Sequence, residues 1–162
     1  MMKYPLKIIF LFIFSLAAAT GYSQYNWKLS KSRDGINVYE SATKNSDYKS
    51  IKVEYTAPGT FEKLMTILNN VALHKDWVYN SKKSYVIKRN SPVDFYYYTE
   101  TSIPWPMSNR DAVVHLTMTK DSLNRFLNVT ANGVPGYVPE KNGKVRIPKL
   151  SVNWYVTMPT YN

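Results

Sequence analysis

The chain contains no cysteine, which removes disulfides, thiolate nucleophiles and thiolate metal sites at one stroke. It has two histidines, His74 and His115, separated by the middle of the chain. His74 and Asp76 stand two apart, a poor spacing for a shared metal on a helix. There is no Gly-x-Ser-x-Gly elbow, no His-Glu-x-x-His pair and no glycine-rich phosphate cradle. Neither a metal nor a cofactor is expected, and the chain reads as a non-enzyme. The lysines are scattered and form no basic block of the kind that reads as a nucleic-acid tail, so no nucleic-acid partner is expected. The first 23 residues lack any acid. Their apolar run, from Ile8 to Phe14 and on through Leu16 to Ala19, is short for a membrane span.

What those residues do have is the layout of a secretory signal peptide: Lys3 and Lys7, an apolar centre, then small residues. Cleavage after Ser23 is preferred, with Ala19 as the other position and an uncleaved anchor as the other reading. The chain is then exported, to a bacterial periplasm or beyond. Loss of residues 1–23 removes two of 21 basic residues and none of 11 acidic ones, so the remainder stays basic. For an exported protein that charge fits transient contact with an anionic membrane surface, or simply a well-solvated exterior.

The 162 residues correspond to one domain, read as residues 24–162 and as a monomer. Apolar residues make up 44%, aromatics 15%, and there are 14 tyrosines, the profile of an aromatic-rich folded protein. Asp34-Gly35 signals a turn before a short strand, Ile36 to Ser41. Ile51, Val53 and Tyr55 alternate with polar residues and predict a strand with one buried face. Thr60 can cap a helix in which Phe61, Leu64, Met65 and Leu68 fall on one face. Val71 to Trp77 can add a second short helix. Beyond it, Tyr85–Arg89, Val93–Glu100, Asn109–Lys120, Arg125–Ala131, Lys144–Ile147 and Leu150–Met158 read as strands. Their short links predict antiparallel pairing, and Trp77 and Trp154 are expected in the core. The order is an α+β plan.

Pro104 and Pro106 cannot donate to a sheet ladder, so the chain must leave the sheet between Glu100 and Asn109 and form a stiff corner. The run Pro104-Trp105-Pro106-Met107-Ser108-Asn109-Arg110-Asp111 resembles the signature of the START (StAR-related lipid transfer) family. Trp27, Asp34-Gly35-Ile36 and Val38-Tyr39 are similar to that family's opening. Lys49 to Tyr55, Trp77 and Lys144-Val145-Arg146-Ile147 resemble later landmarks. The resemblance runs from Trp27 to the end. It implies a helix-grip (START/Bet v 1-like) fold: a curved antiparallel sheet, short helices after the first strands, and a long C-terminal helix roofing a ligand tunnel. As Asn162 follows a strand directly, the resemblance implies that a final strand and that helix are missing from this chain.

On the strand after the corner, Arg110, Ala112, Val114, Leu116 and Met118 share one face, which is apolar beyond its first residue. If that face lines an interior, Arg110 sits at its mouth and must be paired or wet; Glu100 is the nearest candidate partner. The resemblance likewise implies a charged spot in an apolar tunnel, carried by Arg110 and Glu100, with Tyr98 beside them. Some sterol-binding members have an arginine six residues past the motif arginine, where this chain has Leu116, which argues against a sterol. Arg110-Asp111 can instead be a corner clamp holding loop carbonyls. Trp105 and Met107 can meet a bilayer, gate the tunnel or pack beneath the loop. The expected activity is non-enzymatic binding, and possible transfer, of a lipid or other hydrophobic molecule. The alternatives are a helix-grip enzyme of cyclase or hydrolase type, and a module that binds an envelope surface.

Overall fold

The computed structural model describes residues 25–44, 46–121, 123 and 125–158. The expected leader and the chain end at Asn162 lie outside them. The chain divides into two compact units, residues 1–58 and 59–162. Among the described residues no helix is long and apolar enough to cross a membrane.

The first unit is an antiparallel meander of β1 (Lys28–Arg33), β2 (Ile36–Ala42) and β3 (Lys49–Glu54). Asp34 and Gly35 both take positive φ, 51° and 76°, the two-residue turn whose twist matches a hairpin, and Arg33 pairs with Ile36 across it. Strand β1 has no counterpart in the periodicity reading. Its sequence KLSKSR carries one apolar residue, every position is exposed, and it is held through its backbone pairing to β2. The expected buried face of β3 is a correction. Ile51 is 67% exposed and Tyr55 64%, because no helix lies on this sheet within residues 25–58 among the described residues.

The second unit begins with α1 (Phe61–Asn69), where the Thr60 hydroxyl accepts from Lys63 N at 3.2 Å as foreseen. A single 3₁₀ turn (Val71–Leu73) and α2 (His74–Trp77) follow. The sheet then runs β4 (Ser81–Ser91), β5 (Asp94–Thr101), β6 (Asn109–Lys120), β7 (Phe126–Gly133) and, beyond β7, β9 (Ser151–Thr157). Each of these neighbours is antiparallel.

The short β8 (Lys144–Arg146) departs from the antiparallel expectation and lies parallel to β6 at Asn109–Asp111. Strand β7 covers β6 only from Val114 onward, so the start of that edge is free. The chain returns through residues 134–143 running in the direction of β6, which makes the pair parallel.

One face of this sheet packs on α1. Phe61, Leu68 and Val71 meet Phe95, Leu116, Met118, Leu127 and Val129 in one buried cluster, with Leu64, Met65, Tyr97, Trp154 and Val156 at its margin. Each large side chain so buried contributes about 1.5–3 kcal/mol. Trp154 is half-buried, but Trp77 is 45% exposed, contrary to expectation. The buried ring of that short helix is His74, whose Nε2 lies 3.0 Å from the Leu68 carbonyl and whose pKa is lowered by burial.

Phe95→Ala is expected to lower unfolding free energy by about 3–5 kcal/mol, and Ile51→Ala to change it by no more than about 0.5 kcal/mol; urea denaturation of the two variants measures the contrast.

Candidate functional site: the corner and the two faces of its strands

The corner from Ser102 to Ser108 is fixed at both ends. Ser102 N donates to Asn80 O at 2.8 Å and Met107 N to Pro104 O at 3.2 Å. Ile103 N donates to the Asn109 side-chain oxygen at 3.2 Å, while the Asn109 amide donates to Glu100 at 2.8 Å. Trp105 is 92% exposed and Met107 57%. Neither packs beneath the loop, which removes that one of their three expected roles.

Strands β5 and β6 leave the corner in register: Thr101 opposite Arg110, Glu100 opposite Asp111, Thr99 opposite Ala112, Tyr98 opposite Val113, Tyr97 opposite Val114 and Phe95 opposite Leu116. Directly opposed residues share a face and neighbours along a strand do not. The helix-bearing face therefore carries Arg110, Ala112, Val114 and Leu116. Glu100 and Tyr98 project from the other side.

The expected Arg110–Glu100 pair does not form, and strand alternation is the reason. Arg110 turns back on the corner and donates to the Ser108 carbonyl at 2.5 Å. Glu100 is 4% exposed, with the Lys144 ammonium 3.0 Å and the Lys82 ammonium 3.8 Å from its Oε1. Burial pushes its carboxyl up, but Lys144 and Asn109 outweigh that and hold it below the ordinary range.

The helix-bearing face near the corner is lined by residues that sequence reasoning missed. Ser84 lies opposite Thr99 on β4, and Thr99 opposite Ala112. Their hydroxyls are 3.4 Å apart, and Ser81 continues the line at 3.3 Å from Ser84. Ala112 and Val114 are buried, at 2% and 1% exposure. This is a strip of hydroxyls along an apolar floor with a guanidinium at its end. Only the strand register reveals it. The surface depressions beside α1 (Glu62, Met65, Thr66, Asn69, Asn70, Lys120) and on the first unit around Tyr25, Glu40 and Lys49 include none of the expected site residues.

On the opposite face Asp111, 1% exposed, receives both Arg146 Nε at 2.8 Å and Nη2 at 3.1 Å. The remaining donors of Arg146 go to the carbonyls of Pro135, Val138 and Pro139. A buried ion pair is tolerable only when its other lone pairs and protons are met in this way. The Arg146 guanidinium holds the Asp111 carboxyl below its ordinary value. The corner clamp expected of Arg110-Asp111 is divided: Arg110 alone holds a carbonyl of the corner, that of Ser108, while Asp111 pairs with Arg146 in a clamp on the loop from Pro135 to Pro139.

Around this clamp, Lys141 stands 3.9 Å over the Tyr98 ring and donates to the Tyr85 hydroxyl at 2.9 Å. The Tyr98 hydroxyl is buried with no hydrogen-bond partner among the described residues. Burial, then the charges of Asp111 and Glu100, push its pKa up. Further along the face His115 Nε2 lies 2.8 Å from Asp94 and its ring stacks on Tyr96, which in turn stacks on Tyr137. No three His, Asp or Glu side chains among the described residues are grouped to hold a metal ion.

A mostly antiparallel sheet, short helices after the first hairpins and a proline-flanked corner that splits an Arg-Asp dipeptide between two faces define a START-like, helix-grip domain, the fold of lipid-binding domains. The structure of a STAR-related lipid transfer protein from Xanthomonas axonopodis superposes with a TM-score of 0.76 at 29% identity, over 82% of this chain and 74% of that one. Human StAR-related lipid transfer protein 5, at 19% identity, shares the fold with a TM-score of 0.64 over 93% of this chain and 76% of its own. In sequence, the chain is 28% identical over 129 residues to an uncharacterized protein of Pseudomonas aeruginosa. It spans 63% of that relative's length. No family model matches.

Asp111→Ala strands a buried guanidinium and is expected to cost about 3–5 kcal/mol, whereas the paired change Asp111→Leu with Arg146→Met recovers most of it. The unfolded-state pKa of Asp111 is about 3.9 and the folded value is lower. Its stabilisation is therefore complete above that pH and is lost as pH falls through the folded value. Urea midpoints followed into acid should show wild type losing stability relative to the paired variant.

Proposed function

We propose that residues 24–162 form a non-enzymatic binding domain for a lipid or similar amphiphile, held against the helix-bearing face of the six-stranded sheet near the corner. The observation that carries this reading is the join of chemistries on one face. Ala112, Val114 and Ser84 form the buried layer beneath it, while the half-buried Ser81 and Thr99 offer hydroxyls and Arg110 a guanidinium. An acyl chain gains about 25 cal/mol per Å² of apolar surface removed from water. A head group is oriented by a few polar groups at the edge of such a surface. Leu116 stands where an arginine would favour a sterol, so a chain-bearing lipid fits better. The likeness to the Xanthomonas lipid transfer protein supports the same ligand class.

In this reading Trp105 and Met107 reach an anionic membrane surface transiently, which would let the domain take up or deliver its ligand. An indole exposed on a stiffened loop prefers the interfacial zone of a bilayer. The leader-like residues 1–23 support export, to a periplasm or the exterior. The domain acts as a monomer, with no nucleic acid and no cofactor.

Solvent extraction and mass spectrometry of the purified chain should recover a bound amphiphile, and unlabelled lipid should displace a fluorescent acyl-lipid from it. Arg110→Ala is expected to weaken that binding about tenfold, the loss of one hydrogen bond to a charged group, and Thr99→Val to weaken it less. A chain that carries no amphiphile and takes up none of the fluorescent lipid would overturn the reading.

A further inference from the structure

Apart from the corner, the turn between α2 and β4 projects aromatic surface into solvent. Val78 N donates to His74 O at 2.7 Å and Ser81 N to Val78 O at 3.0 Å. Asn80 takes φ 54°, a left-handed conformation that asparagine tolerates better than most residues. Two backbone bonds thus close the turn. Tyr79 at its tip is 87% exposed, and Trp77 and Val78 on the approach are exposed as well. Trp77 braces the turn from below, its ring meeting buried His74 edge-on at 5.0 Å.

The turn lies at the same end of the sheet as the corner. Ser81 pairs with Thr101, and Ser102 N bonds to Asn80 O across the gap. Two braced aromatic projections, one bearing Tyr79 and the other Trp105, therefore leave that end together. The exposed charge around the first is mostly positive: Lys75, Lys82 and Lys83 are exposed, against exposed Asp76 and the buried Glu100, which lies 3.8 Å from Lys82.

Phenol and indole rings settle at the head-group level of a bilayer. Ammonium groups a few residues away are drawn by the negative potential of an anionic leaflet. A neutral apolar partner would gain nothing from the lysines, and a nucleic acid would call for more of them along one track. We infer that the Trp77–Asn80 turn is a second membrane-docking point, which engages an anionic bilayer together with the Trp105 corner and so fixes how the domain stands on the membrane. This rests on the lipid-binding reading above and adds to it a second contact with the membrane.

The absence of cysteine permits a single-site reporter. Tyr79→Cys, carrying an environment-sensitive fluorophore, is mixed with vesicles of phosphatidylcholine alone and with vesicles of phosphatidylcholine and phosphatidylglycerol in equal parts. Tyr155→Cys, at an exposed position on β9, is the control. The expected result is a blue shift at position 79 on the anionic vesicles only, reversed by salt, and none at position 155. Lys75→Gln and Lys83→Gln are each expected to weaken partition about fivefold. Unshifted emission at position 79, or an equal shift at position 155, overturns the inference. Uptake of the fluorescent acyl-lipid by the same preparations separates the two readings: uptake without a shift at position 79 removes the docking point alone, and loss of both removes the ligand reading with it.

Discussion

Taking two opposite charges out of water costs several kcal/mol per ion before any attraction is counted. At Asp111 and Arg146 that cost is met by a two-bond contact and by three loop carbonyls that use the donors left over. Much of the second unit follows from this arrangement. It holds β8 on the part of β6 that β7 leaves open, and it fastens the chain between Pro135 and Pro139 against the sheet. Because Asp111 must face the clamp, strand alternation sends Arg110 to the other side. One dipeptide at the corner thus serves the clamp on one face and places a guanidinium, bonded to the Ser108 carbonyl, on the other.

The same alternation separates two kinds of polar chemistry. On the outer face, Glu100, Lys144 and Asn109 satisfy one another in a buried network, and the Tyr98 hydroxyl is enclosed beside it. On the helix-bearing face the polar groups are a line of neutral hydroxyls with Arg110 at its end, beside small apolar residues. Charges neutralised internally stiffen a sheet, whereas these hydroxyls are satisfied by one another, Ser84 by Ser81 and Thr99. The division agrees with the fold shared with lipid transfer proteins.

Local patterns were legible where the cause was local. Thr60 and the spacing of Phe61, Leu64, Met65 and Leu68 specify α1 because capping and amphipathicity act within a few turns. The Asp34-Gly35 turn and the alternation in β6 are visible for the same reason. Pro104 and Pro106 announce the corner. What remained hidden depended on register or on distant partners. Nothing near Asp111 names Arg146, 35 residues away, so Glu100 was the wrong partner for the neighbouring arginine. The hydroxyl strip requires Ser84, Thr99 and Ala112 to be set side by side on three strands. Strand β1 carries almost no apolar signal. Periodicity also cannot say whether an apolar face is covered, which is why Ile51 and Trp77 were misplaced.

The clamp has a further kinetic meaning. Strands β4 to β7 follow one another in sequence and can zip as successive hairpins, each closing a short span. The β6–β8 contact closes a much longer one, with a correspondingly larger, though slowly growing, entropy of closure. Residues 134–146 are held by several contacts at once: the donors of the Arg146 guanidinium, the short parallel pairing, Lys141 on Tyr85 and Tyr98, Lys144 on Glu100 and Tyr137 on Tyr96. A segment that closes one long span can come away as a unit while the ladder beneath it stays intact, the kind of sub-global opening that amide exchange detects at energies below complete unfolding. Opening of the stretch from Val134 to Arg146 would therefore have to break all of these contacts together while the antiparallel ladder of β4 to β7 stays paired.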